Sequence, residues 1–479
     1  MARKGLVGGS YKPLSDSDIA QVHDTSMRVF EEVGVQVNSD KALDIFAGAG
    51  APVEGRIVKL PRHRVMELIE RAPSEVTLYG RQPEHHVTLG GARVYLGTGG
   101  TALNIMDAQS GERRPATLHD LRQIARLVDS LENVHFFLLP TYPNDIGSAD
   151  VDVNRFFAGL DNTSKHIMGG VYTEEGIQRV IRMAEIIAGS AEGLRKEPII
   201  SMIILAISPL KIDRNYGDMI VSIAQAGIPI VVPAEPLCGA TSPVTLAGNL
   251  VIQNVDSLAG ICLTQLVNPG TPAIYGSVAT TADPHDLKYI SGSIEMGLLN
   301  AAAAQMAQYY RLPYYATAGM SDAKVLDAQC GYESALTNLM CALAGANYIH
   351  DAAGLMDFAM SVSYEKYVVD NEIIGMVMRA LEGIRVDEET LAFDVIKQVG
   401  PAGHFVAQRH TRKHMRSEQY QPTLSDRENY EDWHAHGRKD TYARAREQVE
   451  EILSRPGYRL PPDVRESVTR EIPGIVAQG

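Results

Sequence analysis

The chain has 479 residues, 45% of them hydrophobic and 21% charged, with a formal net charge of −14. That is the make-up of a globular protein with ample core, and its negative field works against nucleic acid and anionic lipid as partners. Four cysteines (Cys238, Cys262, Cys330 and Cys341) lack CxxC spacing, which fits a reducing cytosol and argues against structural zinc, so no bound metal is expected. The N-terminus carries no signal-peptide pattern, and no stretch nears the roughly 20 uninterrupted apolar residues of a spanning helix. A cytoplasmic location is the expectation.

Residues 1–90 read as an extension of helices and a small β element. SDSDIAQVHDTSMRVFEEVGV begins with an Asp/Ser cap signal and sets Ile19, Val22, Met27, Val29 and Phe30 on one apolar face. DKALDIFAGAG and LPRHRVMELIERAP predict two further helices, and VTLYG, HHVTLG and ARVYLG predict short antiparallel strands joined by glycine turns.

From residue 91 a rhythm sets in: ARVYLG, VHFFLLP, HIMGGVY, PIISMIILAIS, PIVVPAE, PAIYGS, PYYATAG and NYIHDAAG, with helical segments between them. Runs too apolar to alternate suit parallel strands buried on both faces, and eight such units predict a (β/α)8 TIM barrel over residues 91–403. An open doubly wound sheet is the competitor, weakened by the lack of GxGxxG after the first strand and of a Walker sequence. Residues 404–479, polar and holding the one tryptophan, Trp433, predict a helical tail that wraps the barrel or makes a homo-oligomer contact.

In such barrels the reacting groups gather at the C-terminal strand ends. Those ends offer Tyr95, Thr98, Thr101, Tyr142, Asn144, Asp145, Tyr172, Ser208, Glu235 and Ser277, and then His350, Asp351, Met356, Asp357 and Phe358 after the eighth strand. The loop after the seventh strand, TAGMSDAKVLDAQCGYE, adds Ser321, Asp322, Lys324, Asp327, Gln329 and Glu333. Asp322 and Ser321 there are equally readable as helix caps, and Lys324 with Asp327 as a solvated pair. No GxSxG elbow, HExxH or metal constellation at ligand spacing is present. Tyrosines, Phe358 and carboxylates together suit a cationic ammonium ligand, which sits well over aromatic faces.

Two stretches, LGTGGTALNIMDAQSGERRPAT and GMSDAKVLDAQCGYESALTNLMCALAGANYIHDAAGLMDF with VVDNEI following, resemble the trimethylamine methyltransferase family over nearly the whole chain. The resemblance implies a barrel that hands a methyl group from a methylamine to cob(I)alamin, giving methylcobalamin on a separate corrinoid protein. The archetypes carry pyrrolysine and this chain has only the standard residues, so it resembles the branch acting on quaternary amines, with glycine betaine foremost. Demethylating a quaternary ammonium releases a neutral amine and needs no general acid; the cofactor carries the hard chemistry.

On this reading Tyr95, Phe358 and Tyr142 wall the ammonium, while His350, helped by Thr98 and Thr101, donates to the substrate carboxylate. Asp322, Lys324, Asp327, Gln329 and Glu235 line the rim toward the corrinoid. Proline betaine, carnitine and γ-butyrobetaine are alternative substrates. A betaine-binding barrel without activity and an acid/base enzyme using His350 and Asp351 are alternative functions.

Overall fold

The computed structural model describes residues 4–106 and 112–476. Its centre is a closed ring of eight parallel strands: Arg93–Thr98, Phe137–Leu138, Ile167–Gly170, Ile200–Ile203, Ile230–Ala234, Ala273–Ser277, Tyr314–Thr317 and Tyr348–Ala353. Nearly every residue of these strands is buried, as expected for a sheet with helices outside and packed side chains within. All eight predicted strands occupy the positions read from the sequence.

The seam between the first and second strands is held in an unusual way. His135 N donates to Leu96 O at 2.8 Å, and the Thr98 hydroxyl donates to Leu138 O at 2.7 Å while accepting from Leu138 N at 2.9 Å. Thr98 thus replaces a backbone rung, because the second strand is only two residues long. This corrects its predicted role: its hydroxyl is committed to closing the barrel.

Arg155, fully buried on the helix after the second strand, ties the same region from outside. It donates to Thr141 O, Leu139 O, Gly170 O, Tyr172 Oη and Thr101 Oγ1, which belong to the ends of three adjacent strands.

The N-terminal mouth is plugged by a hairpin, Val76–Leu78 paired with Val87–Leu89. Its apolar residues pack on Tyr95, Phe136, Leu138, Met168, Val231, Ile274, Tyr315 and Tyr348 inside the barrel. ARVYLG does not join this hairpin. It is the first barrel strand, and its antiparallel neighbour is Leu6–Val7. Tyr95 belongs to this lower layer, its hydroxyl accepting from Gly5 N at 3.0 Å and Thr88 N at 3.4 Å. The expectation that Tyr95 walls the upper mouth is therefore corrected: alternation on the strand points it inward, but three residues too early.

The helix Leu246–Val267 has the length and apolarity of a membrane span, yet most of it is buried in the barrel wall. Its polar residues are spent inside the protein: Gln253 donates to Gly276 O at 2.8 Å, and the one Tyr275 hydroxyl proton is shared between the amide oxygens of Gln253 and Asn254, each 2.8 Å away.

The last barrel helix, Tyr364–Glu382, carries the fully buried pair Lys366–Asp370 at 2.7 Å. Lys366 Nζ also reaches Ser334 Oγ at 2.9 Å, and Asp370 accepts from Gly354 N at 2.7 Å, so the pair fastens this helix beside the ends of the seventh and eighth strands. Beyond it an arm (384–417) leaves the body and exposes Ile384, Val386, Phe393 and Val406. Arg379 holds both of its feet, donating to Gly383 O and Glu418 O at 2.9 Å each. The chain then returns: Glu372 accepts from the amides of Thr423, Leu424 and Ser425, and Arg459 and Arg465 pair with buried Asp161.

Lys366→Met leaves Asp370 buried without its countercharge and is expected to cost about 3–5 kcal/mol in chemical denaturation. Replacing Asp370 with Leu in the same chain should recover most of that loss, because two apolar groups bury without a desolvation penalty.

Candidate functional site

The upper mouth is organised around Asp351. It follows His350 on the eighth strand, is 4% exposed, and holds φ at 60°, a left-handed conformation that L-residues adopt at a cost. It rests on the glycine turn of the first strand: a Cβ on Gly99 would lie 1.6 Å from Asp351 Oδ1. Only glycine leaves room there, which gives the LGTGGT turn its physical reason.

His350 lies flat against Tyr315, ring centroids 4.0 Å apart and planes 18° apart. Tyr315 stacks in turn on Tyr348, and Tyr348 on Phe136, so an aromatic column runs up the lumen from the plug. The Thr317 hydroxyl bonds to His350 Nε2 and donates to Ser277 O at 3.0 Å. With its one proton given to Ser277, Thr317 must accept from His350, so the ring proton is on Nε2. Nδ1 then faces Asp351 Oδ1 at 3.0 Å, and neither atom makes a well-formed hydrogen bond.

Glu235 enters the mouth from the end of the fifth strand. Burial, reinforced by the charge of Asp351, pushes its carboxyl up to about 7. Tyr289, in the loop after the sixth strand, has its hydroxyl pushed well above the ordinary value by burial and then by Glu235, Asp351 and Asp322. Tyr315 is pushed up by burial, Asp351, Tyr348 and Glu235. Burial and the charge of Asp351 thus act on Glu235, Tyr289 and Tyr315 alike, and the His350 ring stacks on the last of these.

The loop after the seventh strand braces this space. Asp322 accepts from Ser291 N at 2.9 Å, Ser291 Oγ at 2.6 Å and Gly292 N at 3.1 Å, fixing the segment just after Tyr289. Glu333 holds the loop from below, accepting from Ser321 Oγ, Asp322 N and Gln329 Nε2. Asp327 caps the following helix through Cys330 N. Asp327 and Gln329 thus serve the loop's own architecture, and neither Asp322 nor Ser321 is the cap.

Phe358 sits on a turn in which Asp357, Phe358 and Ala359 have φ of 56°, 54° and 63°. At roughly 1–2 kcal/mol per residue such a turn persists only because its neighbours hold it. Asp357 is held by Arg113 at 2.8 Å and Ser361 at 3.0 Å. The ammonium of Lys324 lies 3.9 Å from the Phe358 ring centroid and donates to Asp322 O. A face expected to receive a substrate cation is thus covered by a cation of the chain itself.

Across the rim, Tyr142 meets Tyr172 edge-on at 5.6 Å, and Arg155 lies 5.4 Å over the Tyr172 ring. Thr101 Oγ1 accepts from Arg155 at 2.8 Å and keeps its own proton to give away. Asn144 and Asp145 are spent locally, donating to Ala116 O and accepting from Leu118 N. Ser208 donates to Asp256, which burial pushes up to about 7.

Sequence reasoning passed over Arg155, Tyr289, Tyr315 and Thr317. An arginine amid the apolar VDVNRFFAGL was a usable signal; Tyr289, in the polar loop DPHDLKYIS, gave none. Among the described residues no three His, Cys, Asp or Glu side chains gather closely enough to hold a metal ion.

The sequence profile of a family described as trimethylamine methyltransferase matches residues 6–475. A glycine betaine methyltransferase of Desulfitobacterium hafniense strain Y51 is 35% identical, over 98% of this chain and 97% of its own. Trimethylamine methyltransferases of Desulfitobacterium hafniense strain DSM 10664 / DCB-2 and of Methanosarcina thermophila are 39% and 37% identical over 94% of this chain, covering 90% and 94% of their own. Among solved structures, the Methanosarcina barkeri monomethylamine methyltransferase aligns over 93% of this chain and 96% of its own at 13% identity, with a TM-score of 0.47.

The raised carboxyls set a direction for stability. A carboxyl that titrates higher in the folded than in the unfolded chain binds more protons when folded, so its contribution is lost as pH rises from the ordinary carboxylate value toward about 7. Glu235→Gln and Asp256→Asn should each flatten that fall, measured as the urea midpoint across a pH series.

Proposed function

The chain belongs to the trimethylamine methyltransferase family, and on that premise we propose that it moves a methyl group from glycine betaine to the corrinoid of a partner protein, releasing dimethylglycine. The observation that carries this reading is the His350 ring stacked on Tyr315 with the buried Asp351 carboxylate 3.0 Å from its Nδ1, an aromatic and acidic strand end of the kind that suits an ammonium, and the charge of Asp351 is felt by Glu235 and Tyr289.

The substrate is a zwitterion, and the mouth is polar in the matching sense. Its ammonium turns toward Glu235 and Asp351. Its carboxylate, repelled by them, turns toward the Thr101 hydroxyl, which Arg155 polarises from behind. His350, with Nε2 committed to Thr317 and Nδ1 facing Asp351, holds the anionic wall in place and is not the carboxylate donor first expected.

A corrinoid arriving at the rim fits what the loops present: Leu103, Tyr172, Val244, Leu287, Val325 and Met360 each expose apolar surface from a different βα loop. When bound, the corrinoid supplies Co(I), the nucleophile that accepts the methyl group. The chain's own part is to aim one N-methyl outward, hold the rest of the substrate and exclude water. The departing amine is neutral and needs no proton, so His350 and Asp351 have no acid/base work to do.

A second reading, trimethylamine as substrate, is favoured by the 39% identical relative. The betaine reading is supported by the 35% identical relative, which spans more of this chain, and by the absence of any residue beyond the standard set. A homo-oligomer finds support in the apolar side chains that the otherwise charged arm at 384–417 exposes, among them Ile384, Phe393 and Val406.

The deciding assay supplies the purified chain and a reduced corrinoid with glycine betaine, trimethylamine or carnitine separately, and follows the demethylated amine by NMR. Dimethylglycine from glycine betaine is expected; turnover of trimethylamine alone would replace the substrate. Thr101→Val should raise the KM for glycine betaine at least about tenfold, the loss of one hydrogen bond to a charged group, and leave substrates without a carboxylate unchanged.

A further inference from the structure

Past the last barrel helix the chain from 384 to 417 stands off the body. None of its residues is buried, and its helices, Glu388–Leu391, Phe393–Val399 and Arg409–His414, are too short to enclose a face of their own. Eight of its large apolar side chains are between 43% and 88% exposed, among them Ile384, Phe393, Ile396 and Val406. A segment that buries nothing does not offset the entropy of its own ordering, and apolar surface concentrated in this way marks an interface with another protein.

Charge identifies what covers it. The whole chain carries −14, but residues 384–417 hold six lysines and arginines against four acidic residues, so the arm is +2 and the remainder −16. The end of the arm, HFVAQRHTRKHMR (404–416), has four lysines and arginines, three histidines and no acidic residue. Glu389 draws Lys413 and His414 back onto the arm, while Arg409, Arg412 and Arg416 meet no carboxylate among the described residues. The complementary surface is an acidic one, and the body of a second copy supplies it.

The place of departure excludes the corrinoid protein as the occupant. The barrel strands run from the plug to the mouth, so the helix Tyr364–Glu382 that follows the eighth strand returns toward the plugged end. Arg379, in the last turn of that helix, holds both feet of the arm there. The arm therefore leaves from the end opposite the mouth.

We propose that the arm is an exchange clamp between two copies of this chain. Each copy lays residues 384–417 on the body of the other, apolar side chains against its surface and the basic end over its carboxylates. Two-fold geometry uses each arm and each receiving face once, so association closes at two. The clamp rests on the homo-oligomer reading above and is independent of which amine donates the methyl group.

Sedimentation velocity of the full chain over a concentration series tests it. The expected result is a dimer whose Kd rises at least about a hundredfold in Phe393→Asp with Val406→Asp, which places charge in the apolar contact. Arg409→Glu with Arg412→Glu and Arg416→Glu should raise it about tenfold, with circular dichroism confirming that both variants remain folded. All four native cysteines are buried, so a thiol-directed photo-crosslinker on Val406→Cys reports from the arm alone. It should yield a covalent species of two chains, joined from the arm of one to the body of the other. Cross-links confined to a single chain, or a dimer that both variants leave intact, overturn the clamp while the homo-oligomer stands. A full chain that stays monomeric at every concentration overturns both.

Discussion

The mouth of this barrel depends on one close approach: the carboxylate of Asp351 pressed against the Gly99 backbone. The eighth strand must turn left-handed to make it, and the first strand must be glycine to permit it. That contact closes the ring where the hydrogen-bond ladder between these strands is irregular, pairing Ile349 with Leu96 and then Ala353 with Thr98. It also directs an acidic side chain into the lumen, where a backbone bond would otherwise have been made.

Much of the surrounding structure serves to keep that strained end in place. Lys366 and Asp370 anchor the outer helix to Ser334 of the helix before it and to Gly354 just past the eighth strand. The Arg113–Asp357 pair and Ser361 hold the second left-handed turn a few residues on. On the far side, Arg155 gathers the ends of three strands with five donors, and Thr98 completes the seam that a two-residue strand leaves open. Strain of this kind persists only where several contacts over-determine it, and here those contacts ring the same opening.

Charge sorts the opening into two sides. The carboxylates lie with the aromatic column, and the buried arginine lies behind the Thr101 hydroxyl. Lys324 is kept outside, over Phe358, where its charge is bathed by solvent. On the proposed reading, such a separation orients a dipolar substrate without enclosing a fixed ion pair, which would lose in desolvation much of what it gained in attraction.

By itself the sequence determined the barrel: eight apolar runs, buried on both faces, can form parallel strands only with helices between them, and their order along the chain is their order around the ring. It also placed His350, Asp351 and Thr101 at strand ends, because strand ends follow from strand positions. The tertiary structure alone decided which of those groups share a space. Tyr95 and Tyr315 both pair across to Tyr348 and both border the plug, yet the Tyr95 hydroxyl accepts from the amides of Gly5 and Thr88 while the Tyr315 ring carries His350. Glu235 and Asp351 lie more than a hundred residues apart in sequence, and the charge of one acts on the other because the fifth and eighth strands belong to the same ring. Periodicity says which way a side chain points; only closure of the ring says what it points at.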